Sequence, residues 1–268
     1  MPAPVAPPTH IMVTRGDARL QVLAQGEGQP IVLLPSLGRG ATDFDAIAAS
    51  LAGAGYRVLR PQPRGIGESR GPWDGIKLED LAADTAAVIA TNNGGPAFVV
   101  GHAFGNRVAR TLATLRPELV KAVALVAANV GHHPSPPDVR AAIRLSADVM
   151  AADEDRIKAM QFVFFAPGND ASVWLDGWHP EVLAAQRIAG DLTSRSLDYA
   201  AGRAPVLYIQ PSHDPLAHVA DAEEYKKALG NRVTVVVIPN AAHAVIVEQP
   251  KAVSDALIAY ARKLWPAL

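Results

Sequence analysis

The sequence predicts one α/β domain, in which a doubly wound, mostly parallel β-sheet carries an inserted helical cap. Two observations predict the sheet: short continuous apolar runs, and longer alanine-rich segments between them whose apolar residues recur at three-and-four spacing. The cap is predicted because this alternation stops between residues 132 and 203. Residues 1–131 and 204–268 are therefore expected to form the core domain, and residues 132–203 the cap.

Each predicted strand is an aliphatic or β-branched run of the kind found in strands buried on both faces. The strands are expected at residues 30–35, 56–61, 97–101, 121–128, 205–211 and 233–239. Helical patterns between them, ending near Gly or Asn, occupy residues 43–55, 78–92 and 105–120. Since strand and helix alternate, the strands should be parallel.

The interrupting stretch opens with the turn-forming sequence GHHPSPPD and continues with helical patterns at 138–161 and 181–199. Insertions at the carboxyl end of a strand usually serve a site there, although these helices could instead simply cover one side of the sheet. The aromatic residues of the stretch are Phe162, Phe164, Phe165, Trp174 and Trp178. They indicate an apolar or aromatic ligand if they line a pocket, and a cap core if they do not.

Composition and charge limit the classes of partner. Of the 268 residues, 49% are apolar and 19% are charged, which is the balance of a folded globular protein. The net charge is −1 and neither sign forms long blocks, so neither nucleic acid nor an anionic membrane is expected as a partner. A small, nearly neutral molecule fits this surface better.

Cysteine usage and the N-terminal sequence bear on location. With no cysteine, the chain has no disulfide framework, thiolate nucleophile or thiolate metal site. The opening MPAPVAPPTH lacks the basic start and apolar segment of a secretory signal, and no apolar run approaches the roughly 18 residues that span a bilayer. We expect a cytoplasmic protein whose first ten residues form a flexible lead-in outside the fold.

The segment FVVGHAFGNRVAR, residues 98–110, has the form of a nucleophile elbow: an apolar strand, a corner between Gly101 and Gly105, and then a helical pattern. Two glycines at this spacing are common by chance, but a close approach of strand and helix requires small residues there. Such a corner pushes its apex side chain out over the carboxyl edge of the sheet. Ser, or less often Cys or Asp, is expected at the apex, where this chain has Ala103.

Two later loops supply a candidate base and a candidate acid. His243 follows the last predicted strand, and imidazole can accept a hydroxyl proton near pH 7. Asp214 lies three residues after Pro211, in a loop where an aspartate could simply be a turn former. Along the chain the apex residue comes first, then the acid, then the histidine, which is the order of a catalytic triad in proteins with a nucleophile elbow. In such a triad the acid fixes the tautomer of the histidine.

A turn after the first long predicted strand, in VLLPSLGRGATDF, is the candidate oxyanion hole. The turn would direct the Leu37 backbone N–H into the space reached by the Phe104 N–H, which gives two donors for a developing negative charge. A plain Gly- and Ser-rich loop is the alternative. The residues expected to contact substrate are Ser36, His102, Trp174 and Trp178.

Together these pieces resemble the α/β-hydrolase superfamily, from about Thr14 to Trp265. RPQPRGIGES, residues 60–69, looks like that family's D-x-R-G-x-G-x-S segment with Gln62 at the usual Asp, and HAVIVEQP, residues 243–250, matches its His-x4-Glu-x-Pro. The resemblance implies these roles: Ala103 at the nucleophile position, Asp214 as acid, His243 as base, and Leu37 and Phe104 as oxyanion donors.

Two departures from the family pattern bear on activity. Pro35 and Ser36 stand where many members carry His-Gly, and Ala103 removes the nucleophile. Because an old natural loss would let Asp214 and His243 drift, the sequence favours a deliberate serine-to-alanine inactivation over a natural small-molecule-binding protein on this scaffold.

The resemblance therefore implies a serine hydrolase of a carboxylic ester or lactone with an apolar substrate, in a nucleophile-minus form that needs no cofactor or metal. Hydrolysis of a carbon–carbon bond in a diketone is an alternative, since it uses the same triad. An aspartate nucleophile is disfavoured, because alanine differs from serine by only one oxygen. A non-catalytic binding protein is the alternative from a different class.

Overall fold

The computed structural model describes residues 6–91, 95–131 and 135–266. Within these ranges one sheet contains eight strands in the order β1-β2-β4-β3-β5-β6-β7-β8. The strands are β1 (Thr9–Arg15), β2 (Ala18–Gln25), β3 (Gln29–Leu34), β4 (Tyr56–Pro61), β5 (Ala97–His102), β6 (Val120–Val126), β7 (Val206–Pro211) and β8 (Val233–Ile238). The pairs β1–β2 and β2–β4 are antiparallel, and the pairings from β4 through β8 are parallel.

Helices cover both faces of this sheet. In chain order the α-helices of the described residues are α1 (Asp45–Gly53), α2 (Leu78–Thr91), α3 (Phe104–Leu115), α4 (Pro137–Ala147), α5 (Asp153–Val163), α6 (Pro180–Leu192), α7 (Arg195–Asp198), α8 (Val219–Leu229), α9 (Val245–Glu248) and α10 (Pro250–Leu264). One apolar cluster joins the sheet to α2, α3 and α8, and another joins it to α1 and α10. The doubly wound, mostly parallel sheet predicted from the sequence is confirmed.

Strand β5 illustrates why the central strands are continuously apolar. Val99 belongs to the cluster on one face of the sheet, whereas its neighbours Phe98 and Val100 belong to the cluster on the other. Successive side chains of a strand point to opposite faces, so a strand covered on both sides buries every residue. The six predicted strands are accordingly observed as β3 to β8, with ends shifted by up to two residues.

The N-terminal region differs from its prediction. Thr9 and His10 belong to β1, which pairs with β2 across a turn at Gly16 and Asp17. The expectation that the first ten residues lie outside the fold is therefore wrong for Thr9 and His10, while residues 1–5 lie outside the described residues. As an edge strand, β1 is only partly buried, and it lacks the continuous apolar run that marks the central strands.

Between β6 and β7 the chain forms helices α4 to α7, and residues 135–205 contain no strand. The helical pattern predicted at 138–161 is two helices, because the chain turns at residues 148–152 between α4 and α5. The first residues of the predicted cap, 132–134, lie outside the described residues. No helix in the described ranges is both long enough and apolar enough to cross a bilayer.

The helices between β6 and β7 have an apolar core of their own. Its largest members, which we call the aromatic cluster, are Phe164, Phe165, Trp174 and Trp178. Ala244, from the loop after β8, is buried in the same core, and Leu37, from the turn after β3, packs against it. The inserted helices therefore rest directly on loops at the carboxyl edge of the sheet.

Candidate active site

A strained corner joins β5 to α3. Ala103 at its apex has a φ of 47° and a ψ of −110°, and residues with a side chain rarely adopt such a positive φ. A Cβ on Gly101 would lie 2.3 Å from the backbone nitrogen of Asn106, and a Cβ on Gly105 would lie 2.3 Å from the carbonyl oxygen of Leu34. Since backbone atoms cannot easily move aside, both positions require glycine. The residue at the apex of this corner is Ala103, whose side chain is a methyl group.

The structure brings the predicted base and acid together. Nδ1 of His243 lies 2.9 Å from Oδ2 of Asp214, in a contact that is buried from solvent. An ionised carboxylate only accepts hydrogen bonds, so Nδ1 carries the proton in this pair and Nε2 is left with its lone pair. The histidine is therefore held in the tautomer that can accept a proton at Nε2.

Backbone amides hold the carboxylate of Asp214 in place. Its Oδ1 accepts hydrogen bonds from the N–H groups of Leu216 at 2.8 Å and Ala217 at 3.0 Å. These bonds occupy one oxygen and leave Oδ2 for His243. The turn-forming role considered for this aspartate and its role as the histidine's partner are thus combined in one residue, because each role uses a different oxygen.

His102 lies beneath the loop that carries His243. Its Nε2–H donates to the carbonyl oxygen of His243 at 2.6 Å. Burial, and then the proximity of His243, lower the pKa of His102 from 6.5 to about 3, so its ring is neutral at physiological pH. The side chain is fully buried and does not line the cavity described below, which corrects the expectation that His102 contacts substrate.

Glu248 ties the same loop to the inserted helices. Its Oε2 accepts from the N–H of Ala242 at 2.7 Å, and its Oε1 accepts from the N–H of Ala166 and from Nδ2 of Asn169, each at 2.7 Å. In addition, the N–H of Ala244 donates to the carbonyl oxygen of Phe164 at 2.8 Å. The Glu of the His-x4-Glu pattern thus connects the loop bearing His243 to the inserted helices.

The turn after β3 is centred on Leu37 and Gly38. The N–H of Arg39 donates to the carbonyl oxygen of Ser36 at 3.2 Å, and Gly38 has a φ of 67°, as a turn with glycine at its third position requires. Phe104 is the first residue of α3, so its N–H lies outside the hydrogen-bond ladder of that helix. Leu37 and Phe104 both line the cavity at the apex.

A cavity of about 400 Å³ opens at this edge of the sheet and is lined by both Ala103 and His243. The inserted segment contributes Ile143, Phe164, Trp178 and Leu183 to its apolar wall, and the core contributes Leu37, Ala103, Phe104, Ala127 and Leu216. Its polar wall consists of Ser36, Asn106, Arg107, Asn129, Ser135, Arg187 and Asp191. The cavity thus places the His243–Asp214 pair beside a space of small-molecule size.

The residues predicted to contact substrate separate into two pairs. Ser36 and Trp178 line the cavity. Trp174 does not, because its ring is buried in the aromatic cluster and its Nε1–H donates to Oδ2 of Asp43 at 3.0 Å. Trp174 and His102 are therefore the two predicted residues that lie behind the cavity wall. Of the other aromatic residues considered, Phe164 lines the cavity, Phe165 is buried and Phe162 is exposed.

Sequence reasoning missed Asn106. This residue is buried, lines the cavity, and donates from Nδ2 to the carbonyl oxygen of Ala103, while its Oδ1 has no hydrogen-bond partner within the described ranges. The available signal was its position three residues after the apex, one helical turn along α3. Across residues 6–91, 95–131 and 135–266, no group of three or more His, Asp or Glu side chains is placed to hold a metal ion.

The architecture and the corner define the class of protein. The chain belongs to the alpha/beta hydrolase fold family, which it matches over residues 29–250. A Mycobacterium tuberculosis protein that carries the name non-heme bromoperoxidase BpoC is 28% identical over 263 residues, covering 88% of this chain and 94% of that protein.

Solved structures of esterases share the fold. An esterase from Exiguobacterium antarcticum superposes with a TM-score of 0.78 at 17% identity, covering 95% of this chain and 100% of that one. An esterase from Thermogutta terrifontis gives a TM-score of 0.77 at 22% identity, covering 96% and 99%. At these identities the likeness concerns the fold alone.

Proposed function

We propose that the cavity is the active site of a serine-type hydrolase of carboxylic esters or lactones, and that this chain is its nucleophile-minus form. One observation carries the proposal: His243, held by Asp214, lines the same cavity as the strained apex residue, whose methyl group differs from a serine side chain by one oxygen. An acid–base pair that shares a cavity with an apex of this kind can activate a hydroxyl group placed there.

The proposed reaction follows from the placement of these groups. With serine at position 103, its Oγ attacks the substrate carbonyl carbon while Nε2 of His243 takes the hydroxyl proton. The N–H groups of Leu37 and Phe104 donate to the carbonyl oxygen as it becomes negative. The same proton then passes to the departing alkoxide, and a water molecule, activated by His243, releases the acid from the acyl-enzyme.

The inserted helices are proposed to act as a cap that selects the substrate. The inserted segment supplies Ile143, Phe164, Trp178 and Leu183 to the apolar wall, and a cavity of about 400 Å³ suits a small molecule with an apolar part. Residues 132–203 are the proposed extent of this cap, which we expect to exclude water from the reacting carbonyl. Esterases are among the solved structures that share this fold.

The chain as written is proposed to bind substrate without cleaving it. The glycine corner, the positive φ of Ala103, the acid and the base are all retained, which favours a deliberate replacement of serine. Ala103 itself favours the second candidate, a natural small-molecule-binding protein on this scaffold. The codon for residue 103 in the native gene distinguishes the two. Carbon–carbon bond hydrolysis would use the same triad.

The test is the Ala103→Ser variant, assayed with short activated aryl esters. We expect turnover about 10³-fold or more above that of the parent chain, because a complete triad acts as a unit. Ala103→Gly is the matched control, since glycine tolerates the positive φ but adds no hydroxyl. If the serine variant is folded and stays at the rate of the glycine variant, the proposed triad is rejected.

A second measurement tests binding by the parent chain. Removing the hydroxyl leaves the oxyanion donors and the cavity wall in place, so calorimetric titration should give a Kd within about tenfold of the KM of the serine variant, where chemistry is slower than substrate release. The compound recovered from the complex should be intact. A lack of binding to a substrate that the serine variant hydrolyses would show that residue 103 also shapes the pocket.

A further inference from the structure

We infer that Gln186, on the inserted helix α6, is a positioning residue that sets the oxyanion turn after β3. The inference rests on the proposed function, because it concerns the amide of Leu37, which that proposal makes an oxyanion donor. It goes further by giving the inserted helices a part in the chemical step as well as in substrate selection.

The first observation is a direct bond from the cap to the turn. The N–H of Gly38 donates to Oε1 of Gln186 at 2.7 Å, across 148 residues of sequence, and the Gln186 side chain is buried. Gly38 follows Leu37 immediately, so this bond holds the peptide plane on one side of the proposed donor residue. The direction of the Leu37 N–H therefore depends on a side chain of α6.

A second set of contacts holds the other side of the turn. The carbonyl oxygen of Gly38 accepts from the N–H of His179 at 2.9 Å. The guanidinium of Arg39 donates to the carbonyl oxygens of Trp174 at 3.1 Å and Asp176 at 2.6 Å. Arg39 also lies over the rings of Trp174 and Trp178, at 4.6 and 4.9 Å from their centroids.

Distances indicate which contacts set the shape of the turn. The internal bond of the turn, from the Arg39 N–H to the Ser36 carbonyl oxygen, is 3.2 Å long, at the outer limit for a good N–H to oxygen bond. The bonds from Gly38 to the inserted segment are shorter, at 2.7 and 2.9 Å. The cap contacts are therefore the stronger restraint.

The approach is also too close for any other residue at position 38. A Cβ on Gly38 would lie 2.7 Å from Cβ of Leu183, which is on the same inserted helix as Gln186. Gly38 is therefore required for two reasons: the turn needs a positive φ at this position, and α6 leaves no room for a Cβ. Turn and helix are fitted to each other.

Misplacing an oxyanion donor affects one step in particular. The bond from the Leu37 N–H becomes strong only when the carbonyl oxygen is negative, so its loss lowers kcat and leaves KM largely unchanged. Gln186 does not line the cavity that holds Ala103 and His243, so its replacement removes no contact with substrate. A fall in kcat at constant KM is therefore the signature of positioning.

The experiment compares two replacements in the Ala103→Ser background. Gln186→Met keeps the length of the side chain but removes the acceptor, and should lower kcat by about tenfold to a hundredfold with KM within about threefold. Gln186→Glu keeps an acceptor for the Gly38 N–H and should retain most of kcat. Gln161→Met is the control, since Gln161 bonds to the Ala166 carbonyl oxygen within the inserted segment and should leave both constants unchanged.

The outcomes separate the two proposals. If the serine parent is active and Gln186→Met is equally active, the inference is overturned and the hydrolase proposal stands. An inactive serine parent overturns the proposed function itself. Hydrogen exchange of the Gly38 amide in the Ala103 chain tests the contact without turnover: Gln186→Met should accelerate it at least about tenfold and Gln186→Glu should not. Unchanged exchange in the methionine variant also overturns the inference.

Discussion

The two regions that meet at the cavity are built differently. At the strand ends of the core, backbone contacts hold the functional groups: glycines shape the Ala103 corner, and two amides hold the carboxylate of Asp214. In the inserted helices, apolar side chains pack into a cluster whose outer members form part of the cavity wall. Under the proposed function, the difference teaches that the core places the reacting groups and the insert helps to shape the binding space, with Gln186 as the inferred exception.

The largest expected effect tests the core side. In the Ala103→Ser background, His243→Ala should lower kcat by about 10³-fold or more, and Asp214→Asn by a comparable or somewhat smaller factor, because triad members act as a unit. His213→Ala is the control, because this neighbouring histidine is exposed and its Nδ1 contacts Ser212. Full activity in the Asp214→Asn variant would assign the acid to another residue.

The next largest effect concerns the stability of the corner. Gly105→Ala should lower the free energy of unfolding by about 2–3 kcal/mol, because its Cβ would meet backbone oxygens of the neighbouring turn. Urea unfolding measures the change. Gly95→Ala is the matched control, since a Cβ there meets nothing within 4 Å, and it should stay within about 0.5 kcal/mol of the parent. Equal stability of both variants would contradict the tight corner.

A third prediction concerns His102, the buried histidine that contacts the loop of His243. The pKa of His102 is about 3 in the folded chain and 6.5 in the unfolded chain, so the unfolded state binds more protons between these values. Stability should fall as the pH drops below 6.5, by about 1.4 kcal/mol from this group between pH 7.5 and pH 5.5. His102→Gln should remove that part of the loss. If the free energy of unfolding falls by the same amount between pH 7.5 and pH 5.5 in His102→Gln as in the parent, the ring of His102 is not held neutral by burial.

The smallest expected effect tests the insert side. Ile143→Ala, in the serine background, removes apolar wall and should raise KM about fivefold to tenfold while kcat changes little. Ile188→Ala is the control, because Ile188 belongs to the same insert but is 58% exposed and does not line the cavity. A fall in kcat with unchanged KM in the Ile143 variant would contradict the division between placing chemistry and shaping the binding space.

Sequence predicted the core better than the edge of the sheet. Continuous apolar runs mark strands covered on both faces, and β3 to β8 are such strands. Strands β1 and β2 were both missed. Strand β1 is an edge strand, whose partly polar sequence follows a proline-rich opening, and β2 is interior and largely buried but carries Gln21 and Gln25 among its apolar residues, so it has no long continuous apolar run. The turn at Gly16 and Asp17 was the local signal of a hairpin with β2.

The candidate site was predictable only where it lies at strand ends. Ala103, Asp214 and His243 each follow a strand of the parallel sheet, so the alternation of strands and helices places them at one edge. Gln186 carries no such signal, because its contact with Gly38 depends on how α6 packs across the turn. His102 and Trp174 do not line the cavity because their side chains are buried behind its wall. The periodicity of a sequence does not specify how deeply a side chain is buried, so this could not be predicted.

The position of Trp178 in the cavity wall has an optical consequence. Its indole ring lines the space that a ligand would fill, and its neighbour Trp174 lies 5.4 Å away in an edge-on contact. Trp73 and Trp265 lie outside that wall and would contribute constant background emission. Occupancy of the cavity should therefore change the intensity or wavelength of tryptophan fluorescence, so that the chain with Ala103 would report on its own ligands and a collection of candidate esters can be screened by emission alone.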